Sequence, residues 1–351
     1  MKEALFWEPM EDGRIHCYLC PRHCHLREGQ TGFCYVRRNE GGKLYALAYA
    51  QPYAVHVDPI EKKPLFHFLP GTTIFSLGTA GCNMGCKFCQ NWDLSKAQYD
   101  QGRAFNLPPG QAVELAQQHG CASLAYTYNE PTVFAEYVMD LAREGRKRGL
   151  KSAMVTNGYI TQEALPQVYE NIDAANVDLK AFSEDFYRKL TLSHLKPVLE
   201  TLKELQRRKV WLEITNLVIP TLNDDPAEIR QMCEWILENL GDRVPLHFTA
   251  FHPDFKLLDK PRTSPQTLRQ ARQTALEVGL KYVYLGNILD VESATTYCPE
   301  CGAALIQRGW HDVLAVNVRD GKCTQCGADT DIIWGEAPSA RVGRRWIRMG
   351  Y

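Results

Sequence analysis

Residues 78 to 92 read Gly78-Thr-Ala-Gly-Cys82-Asn-Met-Gly-Cys86-Lys-Phe-Cys89-Gln-Asn-Trp92. The three cysteines form a C-x3-C-x2-C pattern with no fourth cysteine nearby. Because a closed iron–sulfur cluster takes four thiolates, this pattern predicts a 4Fe–4S cluster with one iron left open to a ligand other than protein. The alternative is a three-cysteine zinc site that is completed by a distant fourth ligand.

The composition is that of an ordinary globular protein and excludes several functional classes. The chain has 351 residues, a formal net charge of −1 and 45% hydrophobic residues, so no global field attracts nucleic acid or anionic lipid. The first residues lack the apolar run of a signal peptide, and no apolar stretch is long enough to span a bilayer. We therefore expect a cytoplasmic protein without membrane contact, in which the cysteines stay reduced.

Most of the thirteen cysteines occur in groups, which indicates metal binding rather than disulfides. An N-terminal group of four suits structural zinc and a closed iron–sulfur cluster equally well, and His16, His23 and His25 are spare ligands. This group consists of Cys17, Cys20, Cys24 and Cys34.

A second group of four near the C-terminus consists of two C-x2-C-G turns around a predicted strand at Val313–Val318. Its members are Cys298, Cys301, Cys323 and Cys326. Paired turns of this kind are typical of a zinc ribbon or a rubredoxin-like iron site, and we favour structural zinc. Cys121 and Cys233 stand alone, and we interpret both as core residues.

From Thr72 to Ile288 short apolar runs alternate with helical segments, which predicts an α/β fold with parallel strands. The predicted strands are Thr73–Leu77, Ser123–Tyr128, Ser152–Thr156, Ala174–Leu179, Val210–Ile219, Val244–Phe251 and Tyr282–Leu285. The predicted helices include Pro109–Gln118, Thr132–Arg148, Gln162–Tyr169, Pro226–Glu238 and Ser264–Val278. Polar residues follow the carboxyl end of each strand, which is where catalytic groups converge in a barrel.

In combination, several motifs resemble the radical S-adenosylmethionine (SAM) superfamily, in the branch related to pyruvate formate-lyase activating enzyme. Within that branch the chain is similar to the AmmeMemoRadiSam-system enzymes. The motifs are the cysteine loop, Tyr-Asn-Glu-Pro-Thr, Thr-Asn-Gly-Tyr, Val-Asp-Leu-Lys-Ala-Phe, Val-Ile-Pro-Thr-Leu-Asn-Asp and Tyr-Leu-Gly-Asn. The resemblance implies a partial (β/α)6 TIM-like barrel, with a Cys-rich segment over residues 1–60, the barrel over 61–293 and a metal ribbon with a tail over 294–351.

The resemblance also implies the site and its chemistry. Cys82, Cys86 and Cys89 would bind the 4Fe–4S cluster, which cleaves SAM to methionine and a 5′-deoxyadenosyl radical that abstracts hydrogen from a substrate. In the family a Gly-Gly-Glu segment binds the SAM amino group, and here Tyr128-Asn129-Glu130 takes its place without the two glycines. The candidate SAM contacts are Asn129, Glu130, Asn157, Asp178, Lys180, His252, Gly286 and Asn287.

The predicted partners are a reductant of flavodoxin or ferredoxin type and a macromolecular substrate, with activation of a glycyl-radical enzyme as the first suggestion. The alternative function is that of a non-catalytic zinc or iron–sulfur protein that binds RNA or a partner protein. It would do so through the ribbon and the basic, aromatic tail, which contains Arg341, Arg344, Arg345, Trp346 and Arg348.

Overall fold

The computed structural model describes residues 1–335. The tail residues Arg341, Arg344, Arg345, Trp346 and Arg348, for which contact with RNA or an acidic protein was predicted, lie outside the described residues. None of the helices between residues 1 and 335 combines the length and the apolar character that crossing a membrane requires.

The N-terminal segment forms two small antiparallel sheets, in the orders β1-β6-β5 and β2-β3-β4. Their strands are β1 (Lys2–Glu3), β2 (Trp7–Pro9), β3 (Ile15–Cys17), β4 (Cys24–Leu26), β5 (Arg37–Glu40) and β6 (Lys43–Ala46). Buried apolar residues of this segment, such as Phe6, Ile15 and Leu44, belong to the same hydrophobic cluster as residues of the central sheet. The segment therefore packs directly on the main core.

The central sheet has eight strands in the order β14-β13-β12-β11-β10-β9-β8-β7. They are β7 (Ala54–Pro59), β8 (Thr73–Gly78), β9 (Ser123–Tyr126), β10 (Lys151–Thr156), β11 (Ala174–Asp178), β12 (Trp211–Val218), β13 (Leu246–Ala250) and β14 (Val283–Gly286). Strands β8 to β14 are parallel, whereas β7 pairs antiparallel with β8. All seven predicted strands are present, one more than the six that the family resemblance implied, and every residue of β8 and β9 is buried.

Helices connect the parallel strands and cover the sheet. They are α1 (Trp92–Ser95), α2 (Pro109–Gln118), α3 (Ala135–Lys147), α4 (Leu165–Val168), α5 (Glu184–Phe186), α6 (Leu195–Arg207), α7 (Pro226–Leu240), α8 (Pro265–Val278) and α9 (Val291–Ala294). Short 3-10 turns occur at Ile60–Lys62, Gln101–Arg103 and Pro131–Phe134, and a π-helical turn at Tyr187–Thr191. The caps follow ordinary rules: Asp225 and Ser264 accept backbone N–H groups at the starts of α7 and α8, and each helix has proline at its first position.

The C-terminal strands form a sheet of order β15-β16-β17 and a pair, β18-β19. They are β15 (Thr296–Tyr297), β16 (Ala304–Gly309), β17 (Asp312–Val316), β18 (Val318–Arg319) and β19 (Lys322–Cys323). The segment after them returns to the main body, since Ile333 N donates to His67 O at 2.8 Å and Leu69 N donates to Ile333 O at 2.7 Å.

One arginine of the C-terminal sheet is completely buried against the main body. Arg308 donates to Phe66 O at 2.6 Å and to Thr296 Oγ1 at 2.8 Å, and its Nε lies 3.7 Å from the buried carboxylate of Glu61. A guanidinium in such a place is stable only while its partners remain, because an unpaired buried polar group carries its full desolvation cost. The ribbon is therefore bound to the sheet by a buried polar contact.

We expect Arg308→Ala to lower the free energy of unfolding by about 3 kcal/mol or more, because the buried Phe66 carbonyl loses its side-chain donor and the buried Glu61 carboxylate, which still accepts from Gly71 N, loses its cation. Thermal unfolding of the metal-loaded protein measures this. Arg319→Ala, at an exposed position of the same module, is the control and should stay within about 0.5 kcal/mol of wild type. Equal stability of the two variants would contradict the role of Arg308.

Candidate active site

One pocket at the carboxyl ends of the parallel strands brings together almost all of the predicted site residues. Its lining includes Cys82, Cys86, Cys89, Asn129, Glu130, Asn157, Asp178, Lys180, Gly286 and Asn287. His252, a predicted SAM contact, does not line this pocket, and its Nδ1 lies 3.4 Å from Pro253 O. Strand order explains the convergence, because loops that follow neighbouring parallel strands meet at the same edge of the sheet.

The loop between β8 and α1 presents three thiols to this pocket, and no fourth cysteine is among the described residues that line it. Met84 N donates to Cys82 Sγ at 3.4 Å, and Ser95 Oγ lies 3.0 Å from Cys89 Sγ. Burial raises the pKa of the Cys82 thiol to about 12, so metal binding there must displace a proton. Three thiols with polar neighbours fit a cluster that leaves one iron open.

Asn129, predicted to contact SAM, uses its whole side chain to hold the cysteine loop. Its Oδ1 accepts from Thr79 N at 2.9 Å, and its Nδ2 donates to Ala80 O at 3.1 Å and Gly81 O at 2.7 Å. These bonds fix the backbone immediately before Cys82. The amide therefore positions the cysteine loop, and because Oδ1 accepts only one of the two hydrogen bonds open to it, the contact of Asn129 with SAM stays a prediction.

Glu130, the second predicted acceptor, is likewise occupied. Its Oε1 accepts from Thr132 N at 2.9 Å and from Thr156 Oγ1 at 2.7 Å, and its Oε2 accepts from Asn157 N at 2.8 Å. Burial raises the pKa of this carboxyl group, although the three donors counteract that effect. The carboxylate ties the loop after β9 to the end of β10.

Asn157 links the end of β10 to the cysteine loop. Its Nδ2 donates to Asn83 Oδ1 at 2.9 Å and lies 3.7 Å from Cys82 Sγ. Its Oδ1 accepts from Tyr159 N at 2.9 Å. Asn157 therefore contacts the loop that carries the thiols, and its predicted contact with the SAM ribose stays a prediction.

Asp178 and Lys180 form an ion pair at the end of β11, with Lys180 Nζ 2.9 Å from Asp178 Oδ2. Burial lowers the pKa of Lys180, but Asp178 and the nearby Cys86 outweigh it, so the pKa lies above its ordinary value. The ammonium is therefore charged and is available for an anionic group of a ligand.

The end of β14 brings the backbone close to the pocket. A Cβ at Gly286 would lie 2.8 Å from Thr249 Cγ2, so this position requires glycine. Asn287 follows in the left-handed region at φ 59°, with its Nδ2 donating to Ala250 O at 3.1 Å.

Sequence reasoning missed two contributions to the pocket. Lys96 lines it and donates to Met84 O at 2.6 Å, which places a second cation beside the thiols. Trp310 and His311, at the tip of the β16–β17 hairpin, also line it. Because these two residues are far from the cysteine loop in the sequence, no sequence motif could predict this contact.

The C-terminal cysteines form a separate group that could hold a metal ion. Their four Sγ atoms lie within 4.8 Å of one another, with Cys298–Cys326 at 3.7 Å and Cys301–Cys323 at 3.8 Å. A tetrahedral ion with metal–sulfur bonds of about 2.3 Å gives sulfur–sulfur distances of about 3.8 Å. The site therefore suits a single ion, and this geometry is the same for zinc and for iron.

Comparisons with known proteins agree with this site. The family model of the radical SAM superfamily matches residues 76–236. An uncharacterized protein of Methanocaldococcus jannaschii is 43% identical over 335 residues, which cover 95% of this chain and 100% of that protein. The pyruvate formate-lyase 1-activating enzyme of Escherichia coli K12 is 22% identical over 181 residues, or 49% of this chain and 71% of that enzyme.

Among solved structures, SuiB of Streptococcus suis aligns with a TM-score of 0.48 and 13% identity, covering 65% of this chain and 52% of SuiB. A domain of a pyruvate-formate lyase-activating enzyme from Bacteroides vulgatus aligns with a TM-score of 0.42 and 17% identity, covering 47% of this chain and 99% of that domain.

A parallel sheet that presents three cysteines in one pocket at its carboxyl edge defines an iron–sulfur enzyme of radical chemistry. The chain belongs to the radical SAM superfamily, in the branch related to pyruvate formate-lyase activating enzyme. Membership of this family implies a 4Fe–4S cluster and SAM as cofactors, and it disfavours the alternative of a non-catalytic metal protein.

Asn129→Ala should reduce the iron content after anaerobic reconstitution, because the loop before Cys82 loses the donors and the acceptor that fix it. Each buried polar group that loses its partner destabilises the folded loop by about 1–3 kcal/mol. Iron analysis together with thermal unfolding measures the effect. Asn239→Ala, which removes an exposed amide from α7, is the matched control. Wild-type iron content in Asn129→Ala would refute the positioning role.

Replacing Cys301 and Cys326 together with Ser should remove about one metal ion per chain, since a single four-coordinate centre loses half of its ligands. Elemental analysis of zinc and iron measures the loss and identifies the metal. Cys121→Ser changes a buried thiol outside all three groups and should leave the metal content unchanged. An unchanged number of metal ions per chain in the double variant would show that these cysteines bind no metal.

Proposed function

We propose that Cys82, Cys86 and Cys89 bind a 4Fe–4S cluster and that the pocket beside them binds SAM. When bound, the cluster supplies the electron that cleaves SAM to methionine and a 5′-deoxyadenosyl radical, which abstracts hydrogen from the substrate. The observation that carries this proposal is the pocket itself, in which three thiols without a fourth cysteine meet Lys180 and the open backbone at Gly286. The family of the chain supports the same chemistry.

The contacts divide into groups that touch SAM and groups that position the loop. Lys180 is proposed to bind the SAM carboxylate through its ammonium, and Gly286 with Asn287 to pack against the adenine end. Asp178 holds Lys180 in place. The side chains of Asn129 and Asn157 fix the cysteine loop, and Glu130 holds the end of β10 that carries Asn157. This leaves backbone groups of that region for the SAM ammonium. His252 is not part of the proposal because it does not line the pocket.

The proposed architecture is a partial (β/α) barrel over residues 61–293, with a Cys-rich segment over 1–60 and a zinc-ribbon module over 294–351. The parallel order of β8 to β14 and the convergence of their carboxyl ends on one pocket support the barrel. The compact four-sulfur centre supports the ribbon. The buried contact of Arg308 indicates that the ribbon works as part of the barrel wall.

The proposed substrate is a protein, and the proposed electron donor is of flavodoxin or ferredoxin type. The relative from Escherichia coli is named for the activation of another enzyme. Large apolar side chains are exposed next to pocket-lining residues: Trp92 follows Asn91, Leu289 follows Ile288, and Trp310 itself lines the pocket. An apolar rim of this kind suits a macromolecular surface better than a small polar metabolite.

The test is an anaerobic assay for 5′-deoxyadenosine with a strong reductant. Alanine at Cys82, Cys86 or Cys89 should abolish its formation, whereas Cys233→Ala, at a buried position in α7, should leave turnover near wild type. Formation of 5′-deoxyadenosine in all three site variants would refute the assignment of the cluster.

Lys180→Met should weaken SAM binding by about 1.5–3 kcal/mol, the value of a hydrogen bond to a charged group. Equilibrium binding of SAM to the reconstituted protein measures the loss. Lys189→Met, which breaks an exposed pair with Asp185, is the matched control. Equal affinity in the two variants would show that Lys180 does not contact SAM.

A further inference from the structure

The four N-terminal cysteines line one small cavity of their own. Cys17 in β3 faces Cys24 in β4 across the strand pair, and Cys20 and Cys34 come from the adjoining loops. The remaining lining is largely apolar and includes Leu19, Leu26, Phe33 and Val133. None of the nearby histidines lines the cavity; His16 and His23 bond to each other instead, at 3.0 Å. Only thiols are therefore offered to a metal.

The spacing of these thiols differs from that of the C-terminal centre. Within residues 1–335, the C-terminal cysteines alone form a group of ligand atoms within 4.8 Å of one another. A single tetrahedral ion requires this close spacing. A cubane cluster holds its four thiolates farther apart, because each of them binds a different iron. The wider N-terminal set therefore favours a cluster over a single zinc ion.

Gly32 leaves space between two of the thiols. A Cβ at this position would lie 3.6 Å from Cys24 Sγ and 3.7 Å from Cys34 Sγ. The backbone at Gly32 does not require glycine, since its φ is not in the left-handed region. A methyl group would project between the sulfurs, where a cluster core needs room.

The cavity wall also offers a buried hydrogen-bond donor that lacks an acceptor. Arg37 lines the cavity and binds Glu136 through Nη1 at 2.9 Å, but its buried Nε has no partner among the described residues. Buried donors are rarely left unpaired in a folded protein. The inorganic sulfides and thiolates of a cluster would accept this N–H, and the guanidinium would offset their negative charge.

This cavity shares a thin wall with the candidate active site. Asn83, the residue after Cys82, lines the N-terminal cavity, and its Oδ1 accepts from Asn157 Nδ2, which in turn contacts Cys82 Sγ. On the other side of Cys82, Gly81 packs against the backbone carbonyl of Cys34 so tightly that no Cβ fits. Two metal centres placed here would be separated by little more than the backbone of the cysteine loop.

We propose that Cys17, Cys20, Cys24 and Cys34 bind a second 4Fe–4S cluster, which passes electrons to the centre at Cys82, Cys86 and Cys89. A reduced donor of flavodoxin or ferredoxin type would pass one electron to the N-terminal cluster, and this cluster would pass it to the centre at Cys82, Cys86 and Cys89. The donor is oxidised, the central cluster is reduced, and no bond is made or broken. Cys20 and Cys24 are only partly buried, so the cluster has an edge toward the donor. The relay rests on the proposed function, whereas the presence of the cluster does not.

The first experiment counts metals in the full-length protein after anaerobic reconstitution. We expect about eight irons per chain in the wild type and about four both in Cys17→Ala/Cys34→Ala and in the triple alanine variant of Cys82, Cys86 and Cys89. The triple variant should keep its own cluster signal in electron paramagnetic resonance after reduction. Two results would overturn the proposal. The first is a wild type with about four irons and with one zinc ion more than the C-terminal cysteines account for, and the second is a triple variant without iron.

The triple variant tests the N-terminal cluster without any SAM chemistry, so failure of the proposed function would not hide the result. It also covers the case in which Cys17→Ala/Cys34→Ala does not fold. In the fully reduced wild type, two adjacent paramagnetic clusters should broaden each other's signals, and the broadening should vanish in both variants. Wild-type signals without this broadening would show that the two clusters are not adjacent, and would refute electron transfer across the shared wall.

The second experiment tests the relay with two reductants. With a flavodoxin-type donor, the rate of 5′-deoxyadenosine formation in Cys17→Ala/Cys34→Ala should fall at least about tenfold, which corresponds to roughly 1.4 kcal/mol of added barrier. With dithionite, a small reductant that can reach the central cluster directly, the rate should stay within a few-fold of wild type. An equal loss with both reductants would show a purely structural role, and no loss with either would also overturn the relay.

Discussion

Buried amide side chains hold the loop that carries Cys82, Cys86 and Cys89. Asn129 fixes the backbone before the first thiol, and Asn157 fixes the side chain of Asn83 just after it. The second half of the loop is bound from the opposite side, where Gly85 N donates to Thr191 O at 2.7 Å and Lys87 N donates to Leu190 O at 2.9 Å. A loop between a strand and a short helix has little regular pairing of its own, so these contacts set the geometry of the thiols.

The residue before Asn129 adopts a strained backbone conformation in the same region. Tyr128 has a φ of 72°, a left-handed conformation that glycine adopts easily and tyrosine does not. Its hydroxyl donates to Asp58 Oδ2 at 2.7 Å, and Lys63 Nζ lies 4.9 Å from the centre of its ring. Lys63 also binds Asp58 at 2.6 Å. These contacts offset the backbone strain at Tyr128.

Apolar runs made the central sheet predictable, because strands that are buried on both faces have largely apolar sequences rich in β-branched residues. Strand β7 was missed because its polar residues, such as His56 and Asp58, interrupt the run, and an antiparallel edge strand needs no such burial. The candidate metal sites were predictable from cysteine spacing, because thiols that bind one metal centre often lie a few residues apart in the chain. The contacts of Asn129 with the cysteine loop were not predictable, since the partners of a buried amide depend on residues about 50 positions away in the chain.

The C-terminal sheet contacts both the segment between β7 and β8 and the strand β14 at the edge of the central sheet. Arg308 reaches Phe66, which follows β7, while His67 Nε2 lies 2.5 Å from Tyr284 Oη in β14, and Tyr284 in turn contacts Thr296. Strand β16 begins beside the Cys301 turn and ends next to Trp310, which lines the active pocket. A metal ion held by the four C-terminal cysteines would stiffen this small sheet and so also fix one wall of the pocket, because the sheet is too small to be held by a core of its own.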